Sequence, residues 1–243
     1  MLTGTETPVG RARRDLAWAG AGLIVAVTAA LASTRAITVG VIPNPGVQTL
    51  LAYLSTWIPM LAAVGMASVG LGLRASVGRL GIAFHPLDLF WGVAGGCFAR
   101  AIDALSRLQL SGSTGLDPQP IIGTQAMDAW LVLTAILAPV VIAPVVEELF
   151  FRGLVQRSLA RTIRRVPGGI AAAISVVATS AVFSAVHLLV GAETGIAALA
   201  TGIGTFVFSL VAGSIVAATG RLGGAIVAHV VFNGVAVLLM WPR

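Results

Sequence analysis

Seven stretches of this chain run with few or no charges for long enough to cross a bilayer, and that spacing excludes most folds before any motif is read. A helix rising 1.5 Å per residue needs about 20 apolar residues to cross the hydrocarbon core. The stretches fall at roughly 17–34, 47–73, 88–106, 127–151, 169–190, 196–219 and 222–241. Composition agrees: 57% of residues are hydrophobic, 10% are charged and the mean hydropathy is +0.98, so a soluble domain could not cover its own surface. The expected fold is all-α, a polytopic transmembrane helical bundle of about seven spans (six to eight), built as a single membrane domain over residues 1–243. The third stretch sets the uncertainty in number, because Arg100 and Asp103 fall inside it. At i, i+3 they can pair on one helix face, or the segment can be partly interfacial.

The formal charge of +6 and the pI near 11.4 do not make a nucleic-acid binder, since the basic residues are scattered between apolar segments with no aromatic-interleaved basic face. Lipid headgroups are the expected anionic neighbours, and no nucleic-acid partner is expected. Arg11, Arg13, Arg14, Arg74, Arg79, Arg157, Arg161, Arg164, Arg165 and Arg221 sort to one side of the membrane, against Arg35, Arg107 and Arg243 on the other. The positive-inside rule then puts the N-terminus in the cytoplasm, with a bacterial cytoplasmic membrane the expected location. The first stretch, preceded by Arg11, Arg13 and Arg14, reads as an anchor, because no small-residue cleavage site closes it. The turn-rich segment from Ser111 to Pro120 is predicted to face outward. The single cysteine, Cys97, cannot form an intrachain disulfide.

In such a chain each ionisable side chain inside a span is a candidate functional group, because leaving one in hydrocarbon costs about 2.5–3.5 kcal/mol. The candidates are Glu147 and Glu148 in one span, His187 in the next, and His229 with Asn233 in the last. Glu148 and Arg152 stand at i, i+4 with the acid first, the favourable order for an ion pair. Glu147 then points about 140° from Arg152 on the helical wheel and is free to meet another helix, which makes it the candidate base. A purely structural ion pair is the alternative. Phe183 sits one turn before His187, where its ring can orient the imidazole; His229 and Asn233 are again i, i+4. A satisfied core histidine and a helix–helix hydrogen bond are the plainer readings of these two pairs.

Glu147 and His187 each lie twenty residues from Pro167, so a helical hairpin turning there sets them at equal height. The same count fails for His229, eight residues past Arg221, unless a tilt, a break or a dipping loop intervenes; Gly191 to Gly195 is a candidate irregularity. His85 reads as an interfacial loop residue, with Pro86 starting a helix and Asp88 in its first turn. Pro59 and Pro144 read as kinks, Pro144 also as a position that can free backbone groups near Glu147.

Three motifs, Glu147-Glu148-x-x-x-Arg152, Phe183-x-x-x-His187 and His229-x-x-x-Asn233, stand on three hydrophobic segments in this order. In this the chain resembles the CAAX-protease and bacteriocin-processing (ABI) family of intramembrane proteases. The resemblance covers about residues 127–240; the spans over 17–106 carry no motif of it. It implies an intramembrane endopeptidase acting on a peptide or membrane-protein substrate in the bilayer. Glu147 and His187 would activate a water, His229 and Asn233 would stabilise the oxyanion, and Glu148, Arg152 and Phe183 would support them. The family is usually labelled metalloprotease, and Glu147, His187 and His229 would make a three-ligand zinc set with an open position. Zn2+ stays an open alternative, because a metal-free glutamate mechanism uses the same residues and no His-Glu-x-x-His is present. Two other classes compete: a proton- or ion-relay transporter built on the same acids and histidines, and a non-enzymatic immunity or scaffold protein.

Overall fold

The structure, a computed structural model, describes residues 7–42, 44–117, 129–163, 166–191 and 193–241. They form an all-helical bundle with no strand among the described residues. The helices are α1 (Pro8–Thr38), α2 (Pro45–Ser68), a short α3 (Leu73–Leu80) and α4 (Pro86–Ser111). After one turn at Ala129–Leu131 come α5 (Val132–Thr162), α6 (Gly168–Val190), α7 (Gly195–Thr219) and α8 (Gly223–Met240). All but α3 and α4 are long and apolar enough to cross a membrane, and the protein is an integral membrane protein. The chain thus matches the expected bundle. The end of the Ser111–Pro120 loop, residues 127–128 of the fourth expected span, residue 192, Arg164, Arg165 and Arg243 lie outside the described residues.

Local signals explain where helices begin. Thr7 caps α1 by accepting from the Gly10 N–H at 3.1 Å, and Asn44 caps α2 by accepting from Gly46 and Val47, each with proline at the first helical position. His85, expected in an interfacial loop, caps α4: its Nδ1 accepts from the Leu87 N–H at 3.2 Å while Asp88 Oδ2 accepts from the His85 N–H at 2.8 Å.

α4 is the charged third stretch. Its 26 residues are long enough to cross, and it packs along α7 and α8. Asp103 is buried and accepts from Arg100 at 2.7 Å and from Arg107 at 3.3 Å, so the i, i+3 pairing holds. Outside a core that includes Trp57, Phe150, Phe151, Phe183 and Phe208, the buried faces are largely small or polar, as at Ala26, Ala99, Ala212, Ser175 and Ser209, while large apolar side chains such as Ile24, Phe98 and Leu189 point outward. That inversion suits a lipid solvent, in which close backbone approach rather than apolar burial holds helices together. Gly96 is the clearest case: a Cβ there would lie 2.5 Å from the Ala228 carbonyl oxygen of α8.

α5 departs most from a regular helix. It is π-helical over Val132–Ile142 and Leu149–Gln156, with α-helical Ala143–Glu148 between them. Two prolines explain part of this. A π-helix bonds each carbonyl to the N–H five residues on, and Pro139 and Pro144 have none to give to Thr134 and Pro139. Both freed carbonyls find side-chain donors on other helices. The Tyr53 hydroxyl of α2 donates to the Thr134 carbonyl at 3.4 Å, and the Asn233 amide of α8 donates to the Pro139 carbonyl at 2.8 Å.

Candidate active site

The α5–α6 hairpin sets the height of the site. Phe151 meets Phe183 ring to ring at 5.0 Å, and Glu147 faces His187; both pairs are symmetric about Pro167. His229 reaches the same level for a reason the count along the sequence lacks. Leu222, just before α8, packs on Gly153 in the interior of α5, 3.5 Å from where a Cβ would stand, and not at the end of that helix. Its N–H is held by the Gly81 carbonyl at 2.9 Å. Seven residues on from Leu222, His229 therefore meets Glu147 and Glu148. The height mismatch is resolved at the α7–α8 turn and by α5 itself; Gly191, Glu193, Thr194 and Gly195 simply connect α6 to α7.

Glu148 and Arg152 form the ion pair that i, i+4 spacing predicts, at 3.0 Å and both fully buried. Arg152 also donates to Ser209 Oγ of α7 at 2.8 Å, and its guanidinium carbon lies 4.7 Å from the centre of the Phe183 ring. Glu148 Oε1 receives a second donor, His229 Nδ1, at 2.8 Å.

Glu147 points away from Arg152. Its Oε2 lies 3.9 Å from His187 Nε2 and 4.0 Å from His229 Nε2, and has no hydrogen-bond partner among the described residues. His187 Nδ1 stands 2.9 Å from the Phe183 carbonyl oxygen, which only accepts, so Nδ1 carries a proton, and in the neutral ring the Nε2 lone pair faces Glu147. Phe183 orients the imidazole both by that carbonyl and by its ring, 4.3 Å away centre to centre. Phe208 of α7 walls the other side, 4.5 Å from the His229 ring.

The structure thus brings Glu147, Glu148, Arg152, Phe183, His187 and His229 into one cluster. Asn233 is tied to the Pro139 carbonyl of α5 through one of its two amide protons, one turn along α8 from His229. His187 is the most exposed member, its side chain 32% accessible against 16% for Glu147 and 5% for His229. A cavity of about 310 Å3 opens beside it, lined by Leu188, Val190, Glu193 and Thr201 among others.

Beyond Phe208 and Ser209 of α7, two further residues outside the motifs brace the backbone of the site. Arg100 of α4 donates through Nε and Nη2 to the Phe232 carbonyl at 2.9 and 2.7 Å, holding the backbone beside Asn233. Tyr53 of α2 holds the π-helical start of α5. An arginine inside an apolar run was the available signal for the first; the chain's only tyrosine gave none for the second.

Residues 129–235 match the family described as "Rce1-like: Type II CAAX prenyl endopeptidase Rce1-like". This part of the chain is similar to that family. The match takes in α5 to α7 and most of α8, and so contains every motif residue. No curated protein and no solved structure matched the chain. Within the matched segment His187 and His229 converge on Glu147, while Tyr53 of α2 and Arg100 of α4 brace the backbone around it.

Proposed function

We propose that this protein is an intramembrane endopeptidase in which Glu147 and His187 activate a water for attack on a peptide bond. One observation carries the reading: two acceptors, Glu147 Oε2 and His187 Nε2, face each other across 3.9 Å. A single water donating about 2.8 Å hydrogen bonds to both subtends an angle of about 90° and satisfies them while keeping its lone pairs for a carbonyl carbon. As the oxygen bonds to that carbon, one water proton passes to Glu147. The tetrahedral species then collapses, the C–N bond breaks, and the proton goes to the departing amine by way of the Glu147–His187 pair.

His229 and Asn233 serve the oxyanion. His229, with its Nδ1–H directed at Glu148, offers Nε2–H when doubly protonated, and the two carboxylates beside it with Arg152 then sum to zero charge. Asn233 keeps one amide proton beyond the one given to Pro139. Each such donor is worth about 3–4 kcal/mol in the transition state. The substrate is a peptide or membrane protein reaching His187 through the adjoining cavity.

Zinc on Glu147, His187 and His229 is a second reading, favoured by two Nε2 atoms aimed at one carboxylate oxygen with both Nδ1 atoms held by acceptors. The donor chemistry fits. The spacing is that of a water bridge, since tetrahedral ligands about 2.1 Å from zinc stand about 3.4 Å apart. No group of three or more acidic, histidine or cysteine side chains among the described residues forms a metal set. No step above needs the ion.

The arginine-rich end of the bundle gathers Arg79 on Asp15, Arg161 on the Arg79 carbonyl, Arg157 on the Gly220 carbonyl and Arg221 on Asp88. It faces the cytoplasm of a bacterial cell by the positive-inside rule. The test is cleavage of a membrane-protein substrate in proteoliposomes by wild type and Glu147→Gln. Lost cleavage with an unchanged melting temperature is expected. Full cleavage by the variant overturns the reading, and ion flux abolished by the same change would establish the relay instead.

A further inference from the structure

Three helices present polar residues to one another along a seam that leads from the arginine-rich end to the site. On α5 the file is Glu148, Arg152 and Gln156; on α6 it is Ser175 and Thr179, continuing to Phe183 and His187; on α7 it is Thr205, Ser209 and Gly213. Each steps by four residues, so each keeps to one helix face. The files are in register. Arg152 Nη2 donates to Ser209 Oγ at 2.8 Å, and one turn on Gln156 Nε2 donates to the Gly213 carbonyl at 3.0 Å. The hairpin register that sets Phe151 against Phe183 places Thr179 and Ser180 opposite Val155 and Leu154, between Gln156 and Arg152.

The seam is buried but not satisfied. Gln156 Oε1, Thr179 Oγ1, Ser180 Oγ, Arg152 Nε, Glu148 Oε2 and Glu147 Oε2 are inaccessible and have no hydrogen-bond partner among the described residues. A serine or threonine in a dry helix turns back to its own carbonyl four residues before, as Thr205 does to Thr201, and Thr179 and Ser180 do not. Buried polar groups of this kind are ordinarily completed by internal water, which needs two to four polar partners. At the outer end Gln156 and Ser175 line a cavity of about 250 Å3 with Arg157 and Arg161 at its rim.

We propose that this seam is a water route, through which hydrolytic water reaches Glu147 from the arginine-rich end of the bundle. The inference rests on the protease reading and adds what that reading leaves open. A peptide seated beside His187 covers the most exposed side of the site, so water for the next turnover must come from behind. Thr179 and Ser180 are positioning residues for that water and touch no substrate.

The test uses whole protein in nanodiscs with Thr179→Val, Ser180→Ala and Thr179→Ser. The two apolar variants should lower kcat about ten-fold each, the equivalent of one lost water-mediated contact, with KM and melting temperature unchanged, and Thr179→Ser should restore turnover. X-ray hydroxyl-radical footprinting of wild type should oxidise Leu154 and Phe183, which are 2% and 1% exposed and so are reached only by internal water. Apolar variants that retain kcat within about two-fold, or Leu154 and Phe183 left unoxidised, would show a dry packing seam and overturn the route. Inactive Glu147→Gln in the same series would leave the protease reading standing in that case. An active Glu147→Gln would sink the protease reading, and footprinting would still decide whether the seam holds water.

Discussion

Glu148 Oε1 lies 2.8 Å from His229 Nδ1 and also takes Arg152 Nη1 at 3.0 Å, so one oxygen joins the last helix to the ion pair of α5. Arg152 and Glu148 have no access to solvent, and each is the other's charge partner. Arg152→Met therefore leaves a buried carboxylate with only His229 to meet it. The expected cost is about 3–5 kcal/mol, seen as a lower melting temperature in detergent. The double variant Arg152→Met/Glu148→Gln, which removes both charges and keeps an acceptor for His229, should melt above the single variant. Equal melting of the two would mean that the pair contributes through packing alone.

Asn233 braces α5 in the structure and is the proposed oxyanion donor, and the two roles separate by a second substitution. Asn233→Ala strands the Pro139 carbonyl, costing about 1–3 kcal/mol, and removes the proposed oxyanion donor, lowering kcat about 10²–10³-fold. Pro144, five residues on, has no N–H to offer that carbonyl. Adding Pro144→Ala to Asn233→Ala returns an N–H to α5 and should recover the melting temperature without recovering kcat. If turnover also returns, Asn233 acts only by bracing the helix.

Much of this arrangement is legible in the sequence, and the exceptions have physical causes. The Glu148–Arg152 pair follows from helical spacing, and the level of Glu147 with His187 follows from a hairpin centred on Pro167, because both depend only on residues near one another in the chain. His229 needs knowledge of where α8 begins relative to α5, which is fixed by Leu222 seating on Gly153 and by the Gly81 carbonyl. No local pattern encodes that contact. Nor does hydropathy reveal the π-helical turns of α5, since a π-turn and an α-turn take the same apolar residues; only Pro139 and Pro144 hint that its carbonyls need outside donors. α4 shows the reverse case. Its charges obscure it as a span, yet those charges pair with one another and with the α8 backbone.

The contact between α4 and α8 is tight enough to test by one methyl group. A Cβ on Gly96 meets the Ala228 carbonyl at 2.5 Å and Val231 Cβ at 2.8 Å, and backbone cannot yield as a flexible side chain can. Gly96→Ala should cost about 1–3 kcal/mol by overpacking and shift His229, the next residue after Ala228, away from Glu148. Gly65→Ala in α2 is the control, with nothing within 4 Å of its new methyl group, and should melt at or slightly above wild type. Equal effects of the two changes would show that α8 is free to move off α4.

Metal content decides between the two readings of the Glu147, His187 and His229 cluster. The Nε2 atoms stand 3.9 and 4.0 Å from Glu147 Oε2, spans that a water bridges and that zinc would have to shorten by about half an ångström each. Cleavage is therefore expected to survive dialysis against a chelator, with no stoichiometric metal in purified protein by mass spectrometry. Near-stoichiometric zinc in wild type that is lost from folded Glu147→Ala and His187→Ala would reverse this. The Phe183 carbonyl and Glu148, each holding one Nδ1–H, would then be supports for metal ligands, and the activated water would be the ion's.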